Sequence, residues 1–380
     1  MMGNDNITAY QYLSMYSFNT DSYYAFGKTP VSVQSIYETV TANPLVTWET
    51  AKTWNIGFSS QFLNGKLGLD LDYFQSNRND ILITRNASIP TYSGLSLPAE
   101  NLGKVKNHGF EAIATYRDSK GDFEWGVTGN VTYAKNEVVY ADEAADTPAW
   151  QRETGHPIDG GTYYKALGIY QTQEQIESTP HLSGTKIGDL IYQDTNKDGN
   201  ITWDDAVRRD KSATPKWIFG LTLNGSWKGM DVNAFFQGQA DAEILVQPTM
   251  NMATDFYEGR WSESNTAEQN AAAKWPRAFM KASSVDNRNS QSSTWWLRDA
   301  SFVRLKSLEI GYTFPKTLIS PLGVEKLRLY VNGNNLFTID SVGIFDPRND
   351  QWHQGLLSST KLDFRTECHF LIFNHKRIHI

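Results

Sequence analysis

Alternation of apolar and polar residues with period two constrains this chain more than any other feature, and it recurs in paired segments joined by turn-forming residues. From Thr53 to Phe62 one phase carries Trp54, Ile56, Phe58, Ser60 and Phe62, and the other Thr53, Asn55, Gly57, Ser59 and Gln61. Successive side chains of a strand point to opposite faces, so this segment predicts a strand with one apolar face. Leu63-Asn64-Gly65-Lys66 supplies a tight turn around Asn-Gly, after which Leu67, Leu69, Leu71 and Tyr73 alternate against Lys66, Gly68, Asp70 and Asp72, completing a hairpin. The design repeats from Phe110 to Tyr133 around Asp118-Ser119-Lys120-Gly121, and from Trp217 to Gln239 around Lys228-Gly229-Met230-Asp231. A fourth hairpin joins Ser301–Phe314 to Lys326–Phe337 through residues 315–325. Its apolar phase slips between Leu305 and Leu308, which predicts a β-bulge there.

Composition decides which β architecture can use this pattern. Aromatic residues make up 13% of the 380 (12 Trp, 18 Tyr, 19 Phe), a mixture suited to strands. No window reaches the roughly 18 consecutive apolar residues of a transmembrane helix, and mean hydropathy is −0.48. A barrel remains open, because its strands alternate lipid-facing with lumen-facing residues and so average polar. The net charge of −7 gives no basic footprint for nucleic acid, and the single Cys368 offers no disulfide framework. Residues 1–5 show no basic stretch followed by an apolar core, so the sequence reads either as cytoplasmic or as lacking its true start.

Connection lengths favour the membrane. Turns within hairpins are short, whereas about Asn86–Asn101, Ala141–Thr214 and Ala240–Ser293 form long polar links between hairpins. Short turns on one side and long loops on the other are the asymmetry of an outer-membrane barrel. Trp54, Trp125, Trp217, Trp227 and Tyr312 stand near the ends of the apolar runs, where interfacial girdles lie, although buried core aromatics would give a similar pattern. Two other readings stay open on pattern alone: a soluble or secreted all-β glycan-binding module stabilised by calcium, and a β-rich hydrolase with dispersed carboxylates.

The sharpest chemical motif is Asp194-Thr195-Asn196-Lys197-Asp198-Gly199-Asn200-Ile201-Thr202-Trp203-Asp204-Asp205. Oxygen donors at loop positions 1, 3 and 5, a Gly at 6 and a carboxylate at 12 follow the layout of an EF-hand calcium loop. Asp194, Asn196 and Asp198 would ligate by side chain and Asn200 by its carbonyl. Thr202 would act directly or through water, and Asp205 stands in for the usual Glu. The bland reading is an Asp-Gly turn in an acidic loop. Enzyme signals are poor, with no zinc-type histidine pair, nucleophile elbow or phosphate-binding glycine loop, and Asp142, Glu143 and Asp146 read as solvated loop charges. Trp150, Tyr163, Tyr164, Tyr257, Trp261 and Trp275 in the long loops are candidates either to stack on sugar rings or to pack the loops against themselves.

Several segments resemble the SusC/RagA family of TonB-linked outer-membrane receptors. They are Asn43-Pro44-Leu45-Val46-Thr47-Trp48-Glu49-Thr50; Asn101-Leu102-Gly103 with Asn107-His108-Gly109-Phe110-Glu111; Asp299-Ala300-Ser301-Phe302-Val303-Arg304-Leu305-Lys306 with Leu308-Glu309-Ile310-Gly311-Tyr312; and Leu327-Arg328-Leu329-Tyr330-Val331-Asn332-Gly333-Asn334-Asn335-Leu336-Phe337. They span Asn4 to Asp350 in family order. The resemblance implies an all-β fold, an antiparallel transmembrane β-barrel of about 22 strands closed by a plug. It also implies a SusD-like surface lipoprotein as lid, energy from the TonB complex through an N-terminal part, and import of oligosaccharides or peptides across the outer membrane. This sequence departs from the pattern in showing no signal, TonB box or plug, and only about nine or ten strand candidates. Residues 1–350 are therefore expected to be the C-terminal portion of a barrel.

Residues 351–380 are expected to be an aberrant tail. Alternation is expected to stop after Asp350, and the tail holds Cys368 and the histidines His353, His369, His375 and His379. Codons exist for Gln351 to Leu371 that, read one nucleotide later, spell N-G-T-R-D-Y-Y-P-Q-Q-N-L-I-F-G-L-N-V-T-F and then a stop, with the single Trp352 codon forcing the Gly. A shifted reading frame is the expectation.

Overall fold

The computed structural model describes residues 7, 10–19, 23–24, 31–32, 35–85, 98–246, 253–278, 288–342 and 361–370. Nine strands make one antiparallel sheet: β1 Thr50–Phe62, β2 Leu67–Thr84, β3 Ala99–Lys120, β4 Phe123–Tyr140, β5 Trp217–Trp227, β6 Met230–Ala240, β7 Phe302–Thr313, β8 Val324–Asp340 and β9 Lys361–Phe370. Each strand pairs with the next one in sequence, so the sheet is a pure meander with β1 and β9 as its two edges. Such an arc is part of a barrel wall, and its strand number matches the nine or ten expected. Two small hairpin pairings precede it, Met15–Asn19 with Ser35–Val40 and Tyr23–Tyr24 with Val31–Ser32.

The turns around Asn64-Gly65 and Lys228-Gly229 form where the sequence placed them, whereas Asp118, Ser119 and Lys120, expected in a turn, pair within β3 and the chain turns at Gly121-Asp122. Lys228 and Gly229 both take positive φ (47° and 89°) between the paired ends Trp227 and Met230, the left-handed backbone of a two-residue hairpin turn. The β1–β2 turn uses Leu63, Asn64 and Gly65 at positive φ, closed by the Gly65 amide on the Phe62 carbonyl at 3.1 Å. The predicted bulge is present: Phe235 pairs with Ser307 and Phe236 with Leu305, leaving Lys306 without an opposite residue. The register of β7 against β8 shifts at the same place, and Lys306 Nζ donates to Asn335 Oδ1 at 3.1 Å.

Two expectations need correction. β3 and β4 run well past the predicted Phe110–Tyr133 hairpin, and Ala99–Asn101, expected at the end of the Asn86–Asn101 loop, lie in β3. Ladder hydrogen bonds continue where the side chains no longer alternate in polarity, so the apolar pattern marks only part of each strand. Alternation does not stop at Asp350 either. Lys361–Phe370 pairs with β8, and in sequence Leu362, Phe364, Thr366, Cys368 and Phe370 alternate with charged residues and His369.

Hydrophobic burial is concentrated away from the sheet. The largest buried cluster is Tyr164, Ile169, Leu190, Tyr192, Ile201, Trp261, Trp275 and Trp296, drawn from the β4–β5 connection (residues 141–216) and the β6–β7 connection (residues 241–301). The sheet itself exposes large apolar residues, Ile56 at 67% and Phe58 at 52% among them.

Candidate functional site

Register places the apolar phases of all the hairpins on one face. Phe58 pairs with Leu71, Leu71 with Ala112, Ala112 with Val131 and Val131 with Phe219, continuing through Gly238 and Val303 to Ile339. A contiguous apolar face of this extent far exceeds what a soluble monomer leaves in water. Its long-loop margin is a row of rings, Tyr73, Phe110, Tyr133 and Trp217 in register, with Tyr133 and Trp217 4.7 Å apart and Phe110 edge-on to Trp217 at 5.7 Å. Trp54 packs on Tyr73 at 5.4 Å. At the short-turn margin stand Phe123, Trp125, Trp227 and Tyr312. From Trp217 to Trp227 the strand advances about 34 Å, and a tilt of about 40° reduces this to about 26 Å, the height of an outer-membrane barrel's apolar band. Among the described residues no helix is long and apolar enough to cross a membrane.

The opposite face is polar and carries ion pairs between strands. Arg328 on β8 donates Nη2 to Asp231 Oδ2 on β6 at 2.5 Å and to Glu309 Oε1 on β7 at 2.6 Å. Gly311, between them, leaves the space: a Cβ there would sit 2.5 Å from Arg328 Nη2. Further toward the long loops Arg78 pairs with the buried Glu49, and Arg304 is fully buried with Nε donating to Thr338 Oγ1 at 2.7 Å. A charged, hydrogen-bonded face opposite a lipid-type face is the lumen wall of a barrel.

The two long connections fold together as a cap. Asp189 and Asn289 are both fully buried. Asn289 accepts from the Leu190 amide at 2.9 Å and donates to Asp189 Oδ1 at 2.7 Å, and Arg277 Nε stands 2.6 Å from the same oxygen. The indole of fully buried Trp296 donates to the Asn289 carbonyl at 2.9 Å and stacks on Trp275 at 5.8 Å. Arg209 and Glu243 form a two-pronged pair at 2.8 and 2.6 Å between the connections. Burial also pushes the Tyr192 phenol well above its ordinary range, so it stays protonated while donating to the Arg288 carbonyl at 2.6 Å. None of Asp189, Arg209, Glu243, Arg277 or Asn289 stands out in the sequence, because their partners lie tens of residues away and no local spacing marks them.

The loop aromatics divide by burial. Tyr164, Trp261 and Trp275 belong to the cap's core, so they pack the loops together. Tyr163 pairs in the short ladder with Val207, and Trp150 Nε1 donates to the Asp204 carbonyl at 2.8 Å. Tyr257 is 65% exposed with the Arg260 guanidinium 3.8 Å over its ring.

The 194–205 segment is closed by its own hydrogen bonds. Asp194 accepts from the Lys197 and Gly199 amides at 2.7 and 2.9 Å, with Lys197 and Gly199 at positive φ. Asn196 Oδ1 accepts from the Asp198 amide at 3.0 Å, and Asp198 accepts from the Asn200 amide at 2.7 Å. That backbone bond is the main reason the Asp198 carboxyl lies below the ordinary range. Asp205 is fully buried and takes the Thr195 and Thr202 amides at 2.7 and 2.8 Å, while Thr202 caps the short 3₁₀ turn Trp203–Asp205. Among the described residues no three His, Cys, Asp or Glu side chains gather into a metal-holding group. The EF-hand layout also draws on Asn, Thr and carbonyl oxygens.

Comparison with known proteins agrees with this geometry. Residues 8–336 match the family described as TonB dependent receptor-like, beta-barrel. TonB-dependent receptor P3 of Formosa agariphila is 29% identical over 373 residues, covering 92% of this chain and 35% of the relative. TonB-dependent receptor SusC of Bacteroides thetaiotaomicron is 25% identical over 354 residues, covering 91% of the chain and 34% of SusC. The chain thus spans about a third of the length of these relatives. Among solved structures, a RagAB peptide transporter superposes with a TM-score of 0.64 at 20% identity over 91% of this chain and 37% of the other, a likeness of fold. These relatives are receptors, not enzymes. With a lipid-facing belt, a charged lumen wall, a folded cap and this match over most of its length, the chain belongs to the TonB-dependent receptor β-barrel family of the bacterial outer membrane.

Proposed function

We propose that this chain forms wall and external cap of a TonB-dependent importer for a bulky nutrient, an oligosaccharide or a peptide, within a SusCD-like complex. The observation that carries the reading is the pairing of a belt of membrane height with a separately folded cap at its long-loop end. Among the described residues β1 and β9 are sheet edges whose outer backbone groups lipid cannot satisfy, so further strands, with a plug, would close the wall. The cap is where a SusD-like lipoprotein lid would seat, and the TonB complex would act through the plug region. Expression of the complete receptor tests this: a detergent-requiring barrel with heat-modifiable mobility and TonB-dependent uptake is expected. A water-soluble monomer would instead support the calcium-stabilised glycan-binding module.

The 194–205 loop we assign to calcium, with Asp194, Asn196, Asp198, Asn200, Thr202 and Asp205 supplying oxygen. The cation would replace internal hydrogen bonds as the loop's fastener. Its place in a long loop on the external side suits a weak site. Calcium titration of the receptor, read as reduced proteolysis at Lys197, is expected to saturate. No change on adding or chelating calcium rejects the assignment.

For residues 351–380 we propose a shifted reading frame, supported by the hidden alternating segment that ends in Phe. Resequencing the gene across these codons decides it, and a frame lacking that segment would end the idea.

A further inference from the structure

Beyond the long-loop aromatic row, the lipid-facing side of β1–β4 turns cationic. Two residues past Trp54 stands Lys52, in register through Asn77 with Lys106, and Lys106 faces Glu137. One row nearer the belt, His108 pairs with Lys135, which lies two residues past Tyr133. Lys104 continues the series beyond Lys106. All four lysines share the phase of the apolar belt, since they are even-numbered steps along their strands from Trp54, Phe110 and Tyr133, or in register with such a residue. Lys52 and Lys104 are exposed and Lys106 and Lys135 partly so. None has an ion-pair partner among the described residues. Glu137 is the one carboxylate within these rows.

The other margin of the same face is built differently. There Lys66 is held by Asp118 at 2.6 Å, and Lys228 stands 3.9 Å from Asp122 and 5.4 Å over the Trp227 ring. Lys66 and Lys228 thus have carboxylates of the protein within ion-pair distance, whereas Lys52, Lys104, Lys106 and Lys135 have none among the described residues. Lys52 and Lys106 are two strands apart, about 10 Å, within the span of one large headgroup. Flexible lysine stems can carry their ammonium groups along the wall to headgroup depth.

We propose that Lys52, Lys104, Lys106 and Lys135 form a binding site for the phosphate groups of anionic lipid in the leaflet at the long-loop side. The inference rests on the barrel reading above and adds a ligand to its outer surface. The site fixes the depth of the barrel and the leaflet toward which the cap faces. Phosphate is the fitting anion because it offers several acceptor oxygens to point charges that approach from separate strands.

The test uses the complete receptor, purified in neutral detergent and titrated with a bisphosphorylated glycolipid, phosphatidylcholine or inorganic phosphate, with bound lipid counted by native mass spectrometry. Heat-modifiable mobility, recorded for every variant, reports separately on whether the barrel forms. Glycolipid binding is expected to weaken about fivefold for each of Lys52→Gln, Lys106→Gln and Lys135→Gln, and about a hundredfold for the triple variant. Lys106→Arg should retain binding, and Lys66→Gln with Lys228→Gln should leave it unchanged. Single variants carry the test if the triple variant does not fold. Glycolipid binding that survives the lysine substitutions in folded protein overturns the proposal. Equal affinity for phosphatidylcholine or for inorganic phosphate alone does so too.

Discussion

Asn289→Ala tests whether the cap is one cooperative unit held by a buried polar clamp. The substitution removes the acceptor of the Leu190 amide and a donor to Asp189, both in fully buried surroundings. Each buried group left without a partner costs about 1–3 kcal/mol, and Arg277 still engages Asp189, so the total is about 2–4 kcal/mol. Local opening of the cap then becomes about 30- to 1000-fold more frequent, since about 1.4 kcal/mol is a factor of ten. Hydrogen exchange in the folded receptor reads this directly. The amides of Leu190, Tyr192 and Trp296 should exchange faster by that factor, while amides in the centres of β5 and β6 stay as they were. Acceleration below threefold at Leu190 would mean that the clamp does not hold the cap. Equal acceleration in cap and strands would mean that cap and wall open together, and either result refutes the reasoning.

Leu221→Lys, at mid-height of the belt on the lipid-facing phase, should destabilise the folded barrel by about 2–4 kcal/mol in urea unfolding from bilayers, while Thr222→Lys on the opposite face should cost far less; equal costs would misassign the faces. Gly311→Ala displaces the Arg328 guanidinium from Asp231 and Glu309 and should lower the unfolding free energy by about 1 kcal/mol, an effect absent in an Arg328→Met background. Burial raises the Asp159 carboxyl, but hydrogen bonds from Thr214 and Ser212 outweigh it and hold the group below its ordinary value of 3.8. Its contribution to cap stability is therefore complete above about pH 4 and lost as pH falls through the depressed value. Exchange near Ser212 should quicken there, and Asp159→Asn should remove that pH dependence.

Much of the wall was legible in the sequence because a strand's two faces are written into alternate residues. The Asn64-Gly65 and Lys228-Gly229 turns, the slip at Lys306 and the aromatic ends at Trp217 and Trp227 needed only local chemistry to be placed. What alternation could not show was strand length. Ala99–Lys106 and Lys135–Tyr140 pair by backbone hydrogen bonds with mostly polar residues on the outward phase, and so fall outside the hairpin that alternation marks. The same blindness hid the lysine rows, since Lys52, Lys106 and Lys135 lie up to 83 residues apart in sequence and meet only through register.

The sequence by itself determined the period, the Asn64-Gly65 and Lys228-Gly229 turns and the bulge, consequences of short-range sterics and of which residues face lipid, and its motifs carried the resemblance to the family. Tertiary structure alone decided the cap. Asp189, Arg277 and Asn289 come from distant segments, and each is tolerable when buried only because the others satisfy it. Tyr164, Trp261 and Trp275 could equally have been ligand platforms by their composition, and only their packing around Trp296 made them a core.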